Sequence, residues 1–214
     1  MITHGDYGLA LHEDGRKVGT FRSYTFLLDG NHNRIKNLTI INHAGYGRKV
    51  GQAVALYCDG DQIVIDHCRL IGHQDTLFTG PLPPSPMEPG GFTGPKEFSP
   101  RIVGKQLYKD CYIQGDIDFI FGSASAWFEG CQIHSCLLPS ELYPQNNLDQ
   151  PQIHGYITAA STPEEEEIGY IFHQCNLTGD APASSVYLGR PWRNYAKVRF
   201  INCNLGAHIH PEGF

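Results

Sequence analysis

A short pattern of apolar positions recurs along the chain and predicts its secondary structure. An aromatic or aliphatic residue is followed three positions later by Cys or Leu, and five positions later by Ile or Leu. Within each copy the apolar residues nearly alternate with polar ones, as in a strand with one buried face. No 3.6-residue periodicity is sustained over three turns, so we expect an all-β protein. The copies begin at Ile35, Ile65, Tyr108, Phe128, Phe172 and Phe200.

The spacing of these copies predicts a solenoid. Successive copies begin 30, 43, 20, 44 and 28 residues apart, and one coil of a β-solenoid takes about 20–30 residues. We therefore expect stacked coils of a parallel β-helix, with Cys, Leu and Ile forming ladders inside it. Each of the two long intervals holds either a second coil or a protruding loop.

Residues 80–100 interrupt the coils. They contain seven of the fourteen prolines, and proline cannot pair within a sheet interior. We expect them to form an inserted surface loop. We interpret residues 1–214 as a single domain. Because a coil lies close to each end, without the caps that solenoids need, we also expect the chain to be a fragment of a longer domain.

Five of the seven cysteines occupy the same position of the repeated pattern. We interpret them as small, buried apolar residues, with a disulfide between Cys111 and Cys131 as the alternative. No CxxC pair is present, which argues against a structural zinc site. The five are Cys68, Cys111, Cys131, Cys175 and Cys203.

Charge and hydropathy exclude two classes of partner. The net charge is −6, with no cluster of Lys and Arg along one face, so we expect no nucleic-acid partner. No apolar run approaches the roughly 20 residues that span a bilayer, so we expect no membrane partner. No signal peptide is recognisable at the start of the chain.

Polar residues that interrupt apolar strand sequence are the candidates for chemistry. Gln52 precedes Ala-Val-Ala-Leu, Asp75 lies in Gly-His-Gln-Asp-Thr-Leu, and Asp116 and Asp118 lie in Gly-Asp-Ile-Asp-Phe-Ile-Phe-Gly. If residues 116–118 form a regular strand, the two aspartates point the same way. Spacing alone therefore does not choose between them, and it does not show that Asp75 approaches either.

The histidines are not assigned to chemistry. No Gly-x-Ser-x-Gly elbow is present, which disfavours a Ser-His-Asp esterase with His73 as its base. His208 and His210 have the spacing of metal ligands on a strand, but no third ligand lies near them in sequence. We expect no metal.

Five segments, in this order, resemble the signature motifs of the pectinesterase (pectin methylesterase) family. The resemblance covers nearly all of residues 19–205. It implies the family fold, a right-handed single-stranded parallel β-helix (the pectin lyase-like solenoid), in agreement with the repeat. The family's N- and C-terminal parts have no counterpart here, and we interpret the 80–100 loop as a bacterial-type insertion. The segments are residues 19–23, 52–56, 72–77, 118–122 and 188–192.

The resemblance implies a carbohydrate esterase. It would hydrolyse methyl esters of pectin (homogalacturonan), release methanol and pectate, and need no cofactor. Asp118 would be the nucleophile that forms an acyl-enzyme. Asp75 would be the general acid and then the general base. Arg190 would hydrogen-bond Asp118 and favour its charged form, and the charge of Asp118 would raise the pKa of Asp75.

Further positions carry over from the same motifs. Gln52 and Gln74 would stabilise the oxyanion, and Thr20, Gln52, Arg190 and Trp192 would contact the substrate. The 80–100 loop would form one wall of the cleft and alter which pectin patterns are accepted. The resemblance also implies a secreted, monomeric protein.

Three alternatives stay open at this point. A polygalacturonase-like glycosidase also pairs aspartates on a β-helix, although it lacks the context of two glutamines and Leu-Gly-Arg-Pro-Trp. A lyase of the same fold would need calcium. A non-catalytic pectin-binding or truncated inactive fragment is the alternative from a different class.

Overall fold

Three parallel β-sheets run along one axis in the computed structural model, which describes residues 1–142 and 152–214. Along the chain, strands enter the three sheets in turn, and each strand pairs in parallel with the equivalent strand of the next coil. This arrangement is a parallel β-helix, so the prediction of an all-β solenoid is confirmed.

The described strands divide among the sheets as follows. The first sheet contains Ile2–His4, Thr39–Asn42, Arg69–Ile71, Tyr112–Gly115, Gln132–Ser135, Asn176–Gly179 and Asn204–Leu205. The second sheet contains Phe26–Asp29, Leu56–Asp59, Leu77–Thr79, Ile117–Gly122, Gly155–Ala160 and Val186–Gly189. The third sheet contains Arg34–Lys36, Ile63–Asp66, Lys105–Lys109, Ser125–Glu129, Tyr170–His173 and Val198–Ile201.

Helical structure is scarce in the described part of the chain. One α-helical turn spans Gly47–Val50, and 3₁₀ turns span Thr20–Arg22 and Ser140–Leu142. Among the described residues, no helix is long and apolar enough to cross a membrane.

Each copy of the repeated pattern turns a corner between the third and first sheets. The third residue of every copy is left-handed, with φ between 51° and 61°, and this bend separates two short strands. Our interpretation of each copy as one strand was therefore wrong. The bend keeps the apolar side chains of both strands pointing inward, so their spacing resembles that of a single strand. Asn and Asp tolerate this conformation better than most residues, and Gly adopts it freely. The six residues are Asn37, His67, Asp110, Gly130, Gln174 and Asn202.

The interior is built from ladders of equivalent residues. Aromatic rings stack nearly parallel from coil to coil, with centroids 4.7 Å apart for Tyr108 and Phe128, 4.4 Å for Phe128 and Phe172, and 4.5 Å for Phe172 and Phe200. Dispersion between these buried rings stabilises the stack.

The cysteine ladder contains free thiols. Cys68, Cys111, Cys131 and Cys175 are buried and no disulfide is present among the described residues, so the alternative Cys111–Cys131 bridge is not formed. From Cys111 onward, each thiol donates to a carbonyl of the preceding coil, as Cys131 does to Tyr108 over 3.3 Å. Four of the five cysteines therefore act as small buried residues with a weak donor, whereas Cys203 is only half-buried.

Among the described residues, neither long interval contains an extra coil in these sheets. Strand Ile63–Asp66 pairs directly with Lys105–Lys109 across the first interval. Strand Ser125–Glu129 pairs directly with Tyr170–His173 across the second. The second-coil alternative is therefore wrong, and residues 80–104 lie outside any strand.

Candidate active site

A cleft of about 530 Å³ opens on the outer face of the second sheet. Along each strand of this sheet, alternate side chains enter the core or face outward. Leu56, Leu77 and Ile120 are in the core, while Tyr57 and Phe78 belong to an outer cluster beside the cleft. All seven site residues expected from the sequence line this cleft, namely Thr20, Gln52, Gln74, Asp75, Asp118, Arg190 and Trp192.

A bulge in strand Ile117–Gly122 aims Asp118 into the cleft. Ile117 pairs with Tyr156 and Ile120 pairs with Thr158, so the register shifts between them. Asp118 has a φ of +50°, a conformation that is uncommon for a non-glycine residue and often marks a functional site.

The bulge also separates the two aspartates that spacing could not distinguish. Residues 116–118 are not a regular strand, so Asp116 and Asp118 do not share one face. The Asp116 side chain is fully buried and pairs with His73, whereas Asp118 lines the cleft. The carboxylate available to a ligand is therefore that of Asp118.

Asp75 lies beside Asp118 in the preceding coil. Its backbone N–H donates to the carbonyl of Ile117 over 3.1 Å, and its φ of +65° turns it out of the strand path. Burial raises the pKa of Asp75 well above its ordinary value, and the charge of Asp118 raises it further, while Arg190 opposes the shift. Asp75 is thus suited to hold a proton that an exposed aspartate would release.

Arg190 grips Asp118 with two parallel hydrogen bonds. Nε donates to Oδ1 over 2.9 Å and Nη2 donates to Oδ2 over 2.5 Å. The guanidinium also lies over the ring of Tyr156, 4.4 Å from its centroid. Burial raises the pKa of Asp118 above its ordinary value, and Arg190 counters that rise. The fork fixes the carboxylate and favours its charged form.

Gln52 and Gln74 reach the cleft from adjacent coils. The carbonyl of Gln74 accepts a hydrogen bond from the N–H of Ala53 over 3.1 Å. Gly47 makes room for Gln74, since a Cβ at Gly47 would lie 2.2 Å from Oε1 of Gln74. Within the described residues neither side-chain amide has a hydrogen-bond partner in the protein, so both retain free donors.

An aromatic cluster forms the floor of the cleft beside these polar groups. Trp192 is half-buried, and its ring centroid lies 5.8 Å from that of Phe121 and 6.4 Å from that of Phe21. Phe92, from the 80–104 loop, lies 6.3 Å from Trp192. Trp192 therefore both packs in the cluster and lines the cleft.

The sequence predicted that the 80–100 loop forms one wall of the cleft, and loop residues do line it, but the individual lining residues of the loop and several others were not identified. Phe21 directly follows Thr20 in a recognised motif, and its apolar character beside that motif was a usable signal. The loop residues had no periodic signal at all. The residues missed are Phe21, Pro86, Met87, Glu88, Gly91, Phe92, Phe121, Ala159, Pro191 and Arg193.

One group of three potential metal ligands lies outside the residues that line the cleft. Asp66, His67 and Asp110 have ligand atoms within 4.8 Å of one another. Asp66 is already paired with Arg34 over 2.5 Å and with Lys36 over 3.3 Å. These ion pairs already compensate the charge of the Asp66 carboxylate, so we do not assign this group as a metal site.

Comparison with known proteins identifies relatives that match most of the chain. A sequence model of the family Pectinesterase matches residues 9–81 and 101–214. A probable pectinesterase A from Aspergillus fumigatus is 36% identical over 185 residues, which cover 85% of this chain and 44% of the relative. Pectinesterase 2 from Olea europaea is 36% identical over 202 residues, which cover 92% of this chain and 45% of the relative. The chain thus spans about half the length of these curated relatives.

Solved structures agree with these sequence relatives. A pectin methylesterase from Yersinia enterocolitica superposes with a TM-score of 0.74 and 28% identity, covering 97% of this chain and 65% of that one. A pectin methylesterase in complex with a hexasaccharide superposes with a TM-score of 0.76 and 25% identity, covering 97% of this chain and 61% of that one.

Proposed function

The chain belongs to the pectinesterase family, and on that premise we propose that it hydrolyses the methyl esters of pectin. The observation that carries the proposal is one cleft containing two carboxyl groups in unlike environments. Asp118 is held by the fork of Arg190, and Asp75 is buried with a raised pKa. Paired carboxyl groups whose environments differ in this way can divide nucleophile and acid roles.

Asp118 carries out the first step. Its carboxylate attacks the carbonyl carbon of the methyl ester, and the π electron pair of the C=O bond moves onto the carbonyl oxygen, which gives a tetrahedral oxyanion. When the tetrahedral intermediate collapses, methoxide leaves and takes the proton of Asp75. The products of this step are methanol, ionised Asp75 and an anhydride between Asp118 and the galacturonate.

Asp75 carries out the second step. Its carboxylate accepts a proton from a water molecule that attacks the anhydride, and cleavage returns the carboxylate of Asp118. The galacturonate is released as a carboxylic acid that ionises in solution. Asp75 ends protonated, so both aspartates regain their starting states.

The side-chain amides of Gln52 and Gln74 stabilise the negatively charged tetrahedral intermediates. Each can donate an N–H to the oxygen that becomes negative when the carbonyl is attacked. Loss of one such donor typically reduces the rate by about 10²–10³-fold. The flat faces of Trp192 and the hydroxyl of Thr20 supply contacts for a pyranose ring. An extracellular location fits this substrate, because pectin is a polysaccharide of the cell wall.

Product analysis tests this function against the other reactions supported by a β-helix with paired aspartates. The purified chain is incubated with highly esterified pectin, and methanol, reducing ends and unsaturated ends are measured together. We expect methanol to appear without new chain ends. New reducing ends would indicate a glycosidase, unsaturated ends a lyase, and binding of pectin without any product a binding protein; each of these would reject the esterase.

A further inference from the structure

Residues 82–100 are not matched by the family model, and part of this segment lines the cleft. They fall between the two segments that match the family, 9–81 and 101–214. They leave the second sheet after strand Leu77–Thr79 and precede Lys105–Lys109 in the third. The residues of this loop that line the cleft are Pro86, Met87, Glu88, Gly91 and Phe92.

Arg101 holds this loop in one shape. Its guanidinium donates to four backbone carbonyls, those of Pro83 over 3.2 Å, Lys96 over 2.9 Å, Ser99 over 2.6 Å and Glu97 over 2.6 Å. These bonds tie the two ends of the loop together. Because charge-assisted hydrogen bonds are the strong ones, the loop is an ordered wall.

The wall is also attached to the cleft itself. Phe92 is 5% exposed, and its ring packs edge-on against Phe21 with centroids 5.6 Å apart. Arg193 reaches across from the segment after Arg190, and its Nη2 donates to the carbonyl of Ser85 over 2.9 Å. The loop therefore contacts both the aromatic floor and Arg193, which also lines the cleft.

Two charged side chains that line the cleft, Glu88 and Arg193, have no ion-pair partner among the described residues; Arg193 instead donates to the backbone carbonyls of Ser85 and Trp192. Arg190 and Asp118 neutralise each other, and Asp75 is the buried acid. Glu88 is exposed, and within the described residues its carboxylate has no ion-pair partner. Glu88 directly follows Met87 in the sequence, and Met87 lines the same cleft. The thioether of Met87 offers an apolar contact there.

We propose that this wall selects methyl-esterified over free galacturonate beside the reacting residue, with Glu88 as the discriminating group. A free galacturonate is an anion and is repelled by the Glu88 carboxylate. A methyl-esterified residue is neutral and can place its methyl group against Met87. The inference rests on the proposed function, since it names the substrate pattern that the same cleft accepts.

The test compares Glu88→Gln with Glu97→Gln. Both variants remove one negative charge from the same loop, but Glu97 does not line the cleft. The value of kcat/KM for methanol release is measured on sparsely and highly esterified pectin at low salt. We divide kcat/KM on sparsely esterified pectin by kcat/KM on highly esterified pectin. We expect Glu88→Gln to raise this ratio by about two- to fivefold, which is the effect that one exposed charge contact allows. Glu97→Gln keeps the parent ratio, and high salt removes the difference.

Binding separates failure of this inference from failure of the proposed function. Affinities for unesterified and fully methyl-esterified galacturonate hexasaccharides are measured by calorimetry on the same three proteins, each also carrying Asp118→Asn so that the ester is not hydrolysed during the titration. We expect Glu88→Gln to bind the unesterified hexasaccharide about two- to fivefold more tightly and the esterified one unchanged. That shift without methanol release would reject the esterase and keep the discriminating role of Glu88. If neither the kinetic ratio nor the affinities shift, the inference is overturned whether or not methanol is released.

Discussion

Half-buried His73 and fully buried Asp116 form a pair that joins the two segments carrying the proposed catalytic residues. Nδ1 of His73 lies 3.0 Å from Oδ2 of Asp116, whose side chain is 0% exposed. The other oxygen of Asp116 accepts the N–H of Ile117 over 2.7 Å. Because His73 precedes Gln74 and Ile117 precedes Asp118, this pair links the segment of the proposed oxyanion residue to the segment of the proposed nucleophile.

Removal of this pair should affect both stability and turnover. In Asp116→Ala, His73 and the N–H of Ile117 lose a buried acceptor, which costs about 1–3 kcal/mol. We expect kcat to fall while KM stays nearly constant, because Asp118 remains in the cleft but is less well oriented. Urea unfolding and steady-state kinetics measure the two effects.

The matched control is Asp180→Ala. Asp180 also pairs with a histidine, His134, over 3.2 Å, but its side chain is 68% exposed. Exposed ion pairs contribute about 0–1 kcal/mol, so this variant should resemble the parent. Equal losses in the two variants would contradict a special role for the buried pair.

Asp75 should destabilise the folded protein at neutral pH. Its pKa is raised in the folded state, whereas an unfolded aspartate has a pKa of about 3.9. Below about pH 3.9 the group is neutral in both states and carries no penalty. As the pH rises from about 3.9 to the folded pKa, the unfolded state releases a proton that the folded state retains, so stability is lost across this window. We expect Asp75→Asn to be more stable than the parent at pH 7 by more than about 1 kcal/mol and to match it near pH 3. Urea unfolding across this pH range measures the difference, and a variant less stable than the parent at pH 7 would refute the assignment of a penalised carboxyl group.

Arg190 should set the acidic limb of the pH–rate profile. The proposed nucleophile must be ionised, and Arg190 lowers the pKa of Asp118 against the effect of burial. Arg190→Lys keeps a charge but loses the two-pronged contact. We expect kcat/KM to fall by about 10–100-fold and the acidic limb to move to higher pH.

Arg199→Lys is the control for this change. Arg199 is exposed, and its Nη1 donates to the carbonyl of Ile168 over 3.1 Å. Its replacement should leave the profile unchanged. A pH profile of Arg190→Lys that coincides with that of Arg199→Lys would mean that the guanidinium does not act on Asp118.

The aromatic stack inside the coils should carry a large share of the stability. Phe172 is fully buried between Phe128 and Phe200, with centroids 4.4 and 4.5 Å away. Phe172→Ala leaves a cavity and is expected to cost about 3–5 kcal/mol. Trp127→Ala removes a larger ring that is 39% exposed on the outer face and should cost much less. Urea unfolding measures the loss of unfolding free energy in both variants. Equal losses would contradict the expected contribution of the aromatic stack.

The coils were predictable because the same buried positions recur. An aromatic or aliphatic residue and a cysteine must fill equivalent places in every coil, so the pattern survives in sequence. The corner residues were also predictable, since Asn37, Asp110 and Gly130, which are left-handed in the structure, are residue types that accept this conformation. Reading them as corners would have divided each copy of the pattern into two strands.

The bulge at Asp118 could not be predicted from local sequence. It depends on how Ile117 and Ile120 pair with Tyr156 and Thr158, almost forty residues away in the chain. The same applies to the loop. Its prolines predicted a surface segment, but the contacts of Phe92 with Phe21 are tertiary and leave no periodic trace. The monomeric state, the extracellular location and the expected lack of a metal stay predictions.

Methanol release by Asp118→Asn tests the central claim most directly. The parent and this variant are compared on highly esterified pectin at equal concentration, with circular dichroism confirming that both are folded. The amide keeps the size of the side chain but cannot attack the ester, so we expect the variant to be at least about 10³-fold slower. Equal release by the two folded proteins would contradict the assignment of Asp118 as the nucleophile.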